Sequence, residues 1–259
     1  MLAAKRRARI LQYLRSESFA SLNDLADRLD MSVSTIRRDL DYLDQTGHLV
    51  RTRGGAMLDP GMSELREVEA DISAEIEATA KRAIGQAAAR MIAPGSSVIF
   101  DSGTTTAAVA RAAIAEGRDF SSFTNDLTIA GMLAQAGYEV EMPGGRVRPG
   151  SSTLIGATCV RAIARLRPDI ALIGAHAVCP EGLSDSTTEL AEVKAAILAA
   201  GRKTMLVADA TKFDSRSYCL FGGLDRLQRV FSDSRLGPAS RRWIERAGPQ
   251  LDLQEVTSP

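Results

Sequence analysis

The chain has 259 residues, 45% hydrophobic and 25% charged, an ordinary globular balance with core enough for one large domain or a small and a medium one. No apolar run approaches a membrane span, the basic start Lys5-Arg6-Arg7-Ala8-Arg9 has no signal-peptide core behind it, and three cysteines (Cys159, Cys179, Cys219) without CxxC spacing suit a reducing, cytoplasmic setting. The net charge of zero conceals ten Lys/Arg against seven Asp/Glu over residues 1–58 and an acidic excess over the remainder, so a polyanion partner is expected for the front of the chain alone.

From Arg6 to Glu17, Ile10, Leu11 and Leu14 recur at helical spacing. Ser21 is placed to cap a second helix burying Leu22, Leu25, Ala26 and Leu29, with Asp24 as a short-armed capping-box partner. After Asp30-Met31, Ser32 caps a third helix with an apolar stripe of Val33, Ile36, Leu40 and Leu43, ended by Gly47. A tight turn between the second and third of three short helices is a helix-turn-helix pattern. Ser34, Thr35, Arg37 and Arg38 lie off the stripe. Hydroxyls at the N-terminal end and paired arginines in mid-helix suit a helix in a DNA major groove, where Arg reads guanine bidentately or clamps a phosphate. Asp41 offers the plain alternative, an i,i+4 ion pair with Arg37 on a solvated face. Leu49 to Arg53 then alternates, Gly54-Gly55 turns and Ala56-Met57-Leu58 returns, a small wing that carries Arg51 and Arg53 toward the DNA backbone.

This block resembles the DeoR-type helix-turn-helix. The family's Ser-x-x-Thr-Ile-Arg-Arg-Asp-Leu-x-x-Leu appears from Ser32 to Leu43, and its Leu-x-Arg-x-x-Gly-Gly-Ala wing from Leu49 to Ala56. The resemblance implies a bacterial transcription regulator, usually a repressor.

Asp59-Pro60-Gly61-Met62-Ser63 is a breaker cluster, residues 64–80 are charged, and a helix from Thr79 to Ile92 follows with Ile84, Ala87, Ala88 and Met91 on one face. The domains are therefore set at 1–58 for DNA binding, 59–78 for a linker and 79–259 for an α/β domain.

Within the α/β domain, Val98-Ile99-Phe100 reads as a buried parallel strand, Asp101-Ser102-Gly103 as a tight turn, and Thr104-Thr105-Thr106 as the start of a helix. Unpaired N–H groups, a positive dipole end and hydroxyls in one loop make an anion cradle, suited to the phosphate of a small metabolite; taken alone, the same residues fit a plain capped turn equally well. Strands and helices then alternate: a strand ending at Thr124-Asn125, helix Leu127–Ala136, strand Tyr138–Met142 before Gly144-Gly145, helix Ile155–Leu166 and strand Ile170–Gly174. Helix Thr188–Ala200, strand Thr204–Ala208 before Asp209, the last short strand Arg229–Phe231 and helix Pro238–Ala247 complete the series. Polar residues collect where these strands end, the edge at which open α/β sheets bind small ligands. Asn125 could bond a sugar hydroxyl or the phosphate, and Lys212 could neutralise an anion.

The second half resembles the DeoR-type sensor domain, related in fold to ribose-5-phosphate isomerase and the CoA-transferase-like group. Asp101 to Thr105, Thr124-Asn125, Gly144-Gly145, Gly182 with Glu189 and Lys194, and Asp209-x-x-Lys212-Phe213 carry it. It implies a Rossmann-like sensor for a phosphorylated sugar or similar metabolite. Gly103, Thr104, Thr105 and Thr106 would cradle the phosphate, with Asn125, Lys194 and Lys212 around it. His176 has no fixed family role; two readings stand, a part in effector choice and a satisfied loop histidine, the second preferred.

A sugar-phosphate isomerase with a DNA-binding head is the alternative, but the Asp/Gly/Lys-rich run expected of that active site is not evident, and no catalytic residue is assigned. GxxxxGK[ST] and a post-strand GxGxxG are missing, so no nucleotide cofactor is expected. With two histidines, His48 and His176, no metal site is expected either. The expected partners are operator DNA and a phosphorylated effector, without a membrane, in a homodimer or homotetramer.

Overall fold

The computed structural model describes residues 1–58 and 68–256, which form two compact units, Met1–Ile76 and Glu77–Pro259. In the first unit, helices α1 (Ala3–Glu17), α2 (Leu22–Leu29) and α3 (Val33–Gln45) enclose Ile10, Leu14, Leu25, Ile36, Leu40 and Leu43. Ser21 and Asp24 complete the expected capping box, and Ser32 caps α3 by accepting from the Thr35 N–H. Val33 departs from the expected stripe: on the first turn of α3 it stands 38% exposed, and Asp39 takes the fourth buried place instead.

Three short strands close this unit: β1 (Phe19–Ser21), β2 (Val50–Thr52) and β3 (Gly55–Met57), with β3 central and antiparallel to both. Gly55 is required there, because a Cβ would come within 2.1 Å of the Ala20 carbonyl oxygen. Helix α4 (Ala70–Glu75) packs on α1, and Ile72 and Ile76 join the same core. Residues 68–76, expected in the linker, belong to the first unit. The breaker cluster at 59–63 lies outside the described residues.

The second unit is built on a parallel seven-stranded sheet in the order β15-β14-β12-β9-β4-β5-β6. Its members are β4 (Ser96–Phe100), β5 (Phe120–Thr124), β6 (Val140–Glu141), β9 (Ile170–Ile173), β12 (Lys203–Val207), β14 (Arg229–Asp233) and β15 (Gln250–Gln254). Alternate strand residues feed two cores. Val98, Phe100 and Leu172 meet α5 (Ala78–Ala89), α6 (Thr104–Ala115) and α7 (Leu127–Gln135), while Ile99, Phe123 and Ile173 meet α8 (Ala157–Ala164), α9 (Thr188–Ala200) and α10 (Pro238–Ala247). Burial on both faces accounts for the continuous apolar runs of β4 and β9.

Several short elements escaped the sequence. Ile155 is not the first residue of a helix; it lies in β8 (Leu154–Ile155), paired with β7 (Arg146–Val147), and α8 starts after Gly156. Arg229–Phe231 is not the last strand, since β15 follows α10. A separate antiparallel sheet joins β10 (Ala177–Cys179), β11 (Gly182–Asp185) and β13 (Cys219–Gly222). No helix among the described residues is long and apolar enough to cross a membrane.

Candidate nucleic-acid interface and effector site

On α3, Ser34, Arg37 and Arg38 are exposed and Thr35 is half-buried. The Ser32 hydroxyl lies 3.0 Å from that of Ser34 and 2.8 Å from that of Thr35, so the hydroxyls at the head of the helix are tied together. Among the described residues Arg37, Arg38 and the exposed wing residue Arg53 form no ion pair. Arg51 differs. Its guanidinium pairs with the Asp41 carboxylate and donates to the Arg37 carbonyl at 3.3 Å, while its backbone N–H donates to Asp44 at 3.1 Å. Asp41 is therefore spent on the wing and not on Arg37, which corrects the i,i+4 alternative and leaves Arg37 facing solvent.

Asp39, beside these arginines in the sequence, points the opposite way. It is 2% exposed and accepts from the Arg6 and Arg7 guanidiniums of α1, the latter at 3.1 Å. Arg7 also stacks 3.4 Å above the Tyr42 ring, and the Tyr42 hydroxyl donates to Glu69 at 2.9 Å. That bond, with burial and the Glu69 charge, pushes the Tyr42 phenol up. The one available signal was register, because Asp39 falls three residues after Ile36 on the buried face. Its charge type disguised it.

In the second unit the strand order reverses between β4 and β9: β5 and β6 lie outward on one side, β12, β14 and β15 on the other. Such a switch point opens a crevice beyond the strands' C-terminal ends. Asp101 follows β4 there, fully buried, and accepts from the Gly174 N–H at 3.1 Å just past β9. Lys194 of α9, also buried, pairs with Asp101, donates to the Gly174 carbonyl at 3.0 Å and lies 3.6 Å from Asp185. Burial pushes the Asp101 carboxyl up, and Lys194 opposes that shift without cancelling it.

The remaining expected residues divide by environment. Gly103 precedes α6 at φ 137°, backbone that an L side chain rarely adopts, and Ser102 beside it is buried. Thr104 and Thr105 are half-buried, whereas Thr106 is buried and donates its hydroxyl to the Gly103 carbonyl at 2.8 Å. Asp126 caps α7 through the Thr128 and Ile129 N–H groups. Asn125 is buried, and its amide donates to the Leu154 carbonyl at 3.4 Å. Gly144, Gly145 and Glu189 are exposed, with Glu189 paired to Arg146. Asp209 is buried, and its own turn donates to it from Thr211 at 3.1 Å. Burial would raise the Asp209 carboxyl, but Lys212, Lys81 and the Thr211 bonds outweigh it and hold it below its usual value. Lys81 of α5 was not anticipated, being one cation on an otherwise plain helix. His176 is half-buried, with its backbone N–H on the Ser184 carbonyl at 3.1 Å.

At the C-terminal edge of the sheet, Asp101 Oδ1 and Asn125 Oδ1 are buried and have no hydrogen-bond partner among the described residues. Both follow adjacent parallel strands, since Phe100 registers with Thr124. Clefts of about 380 and 230 Å3 lie elsewhere, one bounded by Ser96, Asp169 and Lys203 and the other by Glu181, Tyr218 and Leu220. No cluster of His, Cys, Asp and Glu among the described residues could hold a metal ion.

A winged helix-turn-helix and a doubly wound α/β unit in one chain define a DNA-binding regulator with its own sensing domain. Residues 6–60 match the DeoR-like helix-turn-helix domain and residues 76–234 the DeoR C terminal sensor domain. The chain belongs to the DeoR family of transcriptional regulators. It is 34% identical over 249 residues to the HTH-type transcriptional regulator GlpR of Haloferax volcanii, covering 96% of each chain. To the glycerol-3-phosphate regulon repressor of Haemophilus influenzae it is 30% identical over 234 residues, 90% of each. Among solved structures it resembles ribose 5-phosphate isomerase A of Neisseria gonorrhoeae at TM-score 0.40 and 14% identity, over 52% of this chain and 53% of that one. Both relatives are named as transcriptional regulators, which fits a regulator better than the isomerase alternative.

Proposed function

We propose that this protein represses an operon of sugar or related carbon metabolism, and that a phosphorylated metabolite at the switch-point crevice alters its grip on the operator. The observation that carries the effector class is the pair of unpartnered buried acceptors on Asp101 and Asn125, close in the fold to the N-terminus of α6. Acceptors of this kind call for hydroxyl donors, and helix N–H groups call for an anion. A phosphorylated polyol supplies both. The relative named as a glycerol-3-phosphate regulon repressor is consistent with that chemistry.

In this reading Gly103, Thr104 and Thr105 hold the phosphate, while Lys212 and Lys81 set the charge around it. Ser34, Thr35, Arg37 and Arg38 meet the major groove, with Arg53 on the backbone and Arg51 bracing the wing. Two copies on a palindromic site, in a dimer or tetramer, place two α3 helices about one helical turn apart. The effector acts by binding two sensor states unequally, since only differential affinity moves such an equilibrium.

The test is a thermal-shift comparison of full-length protein with glycerol 3-phosphate, hexose phosphates, the unphosphorylated parents and inorganic phosphate. Stabilisation confined to phosphorylated polyols is expected. Equal shifts with the unphosphorylated parents would overturn the effector class.

A further inference from the structure

The outer edge of β13 is where, we infer, a second copy of this chain docks, by antiparallel pairing of two β13 strands about a two-fold axis. In its small sheet β13 is terminal, paired with β11 on one side and, among the described residues, with no strand on the other. Edge strands ordinarily carry a charge, a proline or a covering element that blocks strand-to-strand pairing. Ser217-Tyr218-Cys219-Leu220-Phe221-Gly222-Gly223 contains neither a charge nor a proline. Phe221 turns into the core, while Leu220 and Tyr218 stand 57% and 69% exposed.

Single exposed apolar residues are common. These two, however, border one cleft of about 230 Å3, with Ser184 in its wall and Glu181 and Arg216 at its rim. Protrusion and socket therefore lie side by side on the same patch, as an isologous contact requires: a ring from each copy fills the other's cleft. The charges agree. Glu181 and Arg216 pair with each other and are largely exposed, so the rim presents one charge of each sign. A copy rotated by half a turn can meet acid with base, whereas the uncharged strand has nothing to select a strongly charged partner. An operator read by two α3 helices needs such a pair, so this inference deepens the proposed function.

The test uses no DNA and no effector, so the two readings can fail separately. Sedimentation velocity of the full-length chain is expected to give an even multiple of its mass. Leu220→Glu and Tyr218→Glu should each sediment at half the wild-type mass, and Met91→Glu, an exposed apolar position elsewhere on the same unit, at the wild-type mass. Amide hydrogen exchange at residues 218–222 of the wild type should slow as protein concentration rises. A monomeric wild type, wild-type mass in either β13 variant, or a halved Met91→Glu would overturn the inference. If the β13 variants fail to fold, the exchange experiment decides: rates independent of concentration would overturn it, and would leave the edge to a different partner.

Discussion

Asp101 and Lys194 stand ninety-three positions apart in the chain and form a buried ion pair at the point where the strand order of the second unit reverses. The pair joins the β4 turn to α9 and, through Gly174, to β9. Two charges removed from water are costly unless each satisfies the other, and here Asp185 and two backbone groups share the task.

Lys194→Met should therefore destabilise the second unit by about 3–5 kcal/mol, because it strands a buried carboxylate. Asp101 already titrates above its ordinary value, and losing Lys194 raises it further. A raised folded-state value means the folded form takes up a proton that the unfolded form does not, so acid restores the variant. Its deficit in melting temperature should be larger at about pH 8 than at about pH 5; a pH-independent deficit would contradict the assignment.

Arg38→Ala should weaken operator binding by about 1–3 kcal/mol, roughly 5- to 150-fold, with an unchanged melting temperature, since Arg38 is exposed and forms no ion pair among the described residues. Fluorescence anisotropy over a salt series checks this. If Arg38 meets phosphate, the slope of log affinity against log salt also falls by about one; unaltered affinity rejects the contact.

Asp39→Asn should lower the stability of the first unit by about 3 kcal/mol, leaving two arginines facing a neutral amide. Calorimetry should show an early transition for that unit while the second unit's transition stays in place. Coincident unchanged transitions would show that Asp39 is no tether.

Burial, with the Asp101 charge nearby, pushes the Cys159 thiol to about 11. Iodoacetamide at about pH 8 should spare Cys159 in the native protein and label it once the chain is unfolded in denaturant, with mass spectrometry of peptides as the readout. Rapid native alkylation of Cys159 would show that the second core opens.

The sequence by itself determined the elements whose cause is local. Ser21 with Asp24 and Ser32 mark helix starts because a side chain reaches N–H groups two or three residues away. The 3.6-residue spacing of Ile36, Leu40 and Leu43, and the apolar runs of β4 and β9, record burial directly. The helix-turn-helix and the alternating α/β domain were legible for that reason. Tertiary structure alone decided where the charges go. Asp39, Asp41 and Lys194 look like surface or ligand-facing residues in one dimension, yet their partners Arg6, Arg51 and Asp101 come from other elements. Ionic partners are chosen by proximity across the fold, which leaves no periodic trace along the chain. The same holds for Phe19–Ser21, too short to announce itself and a strand only because β3 lies beside it.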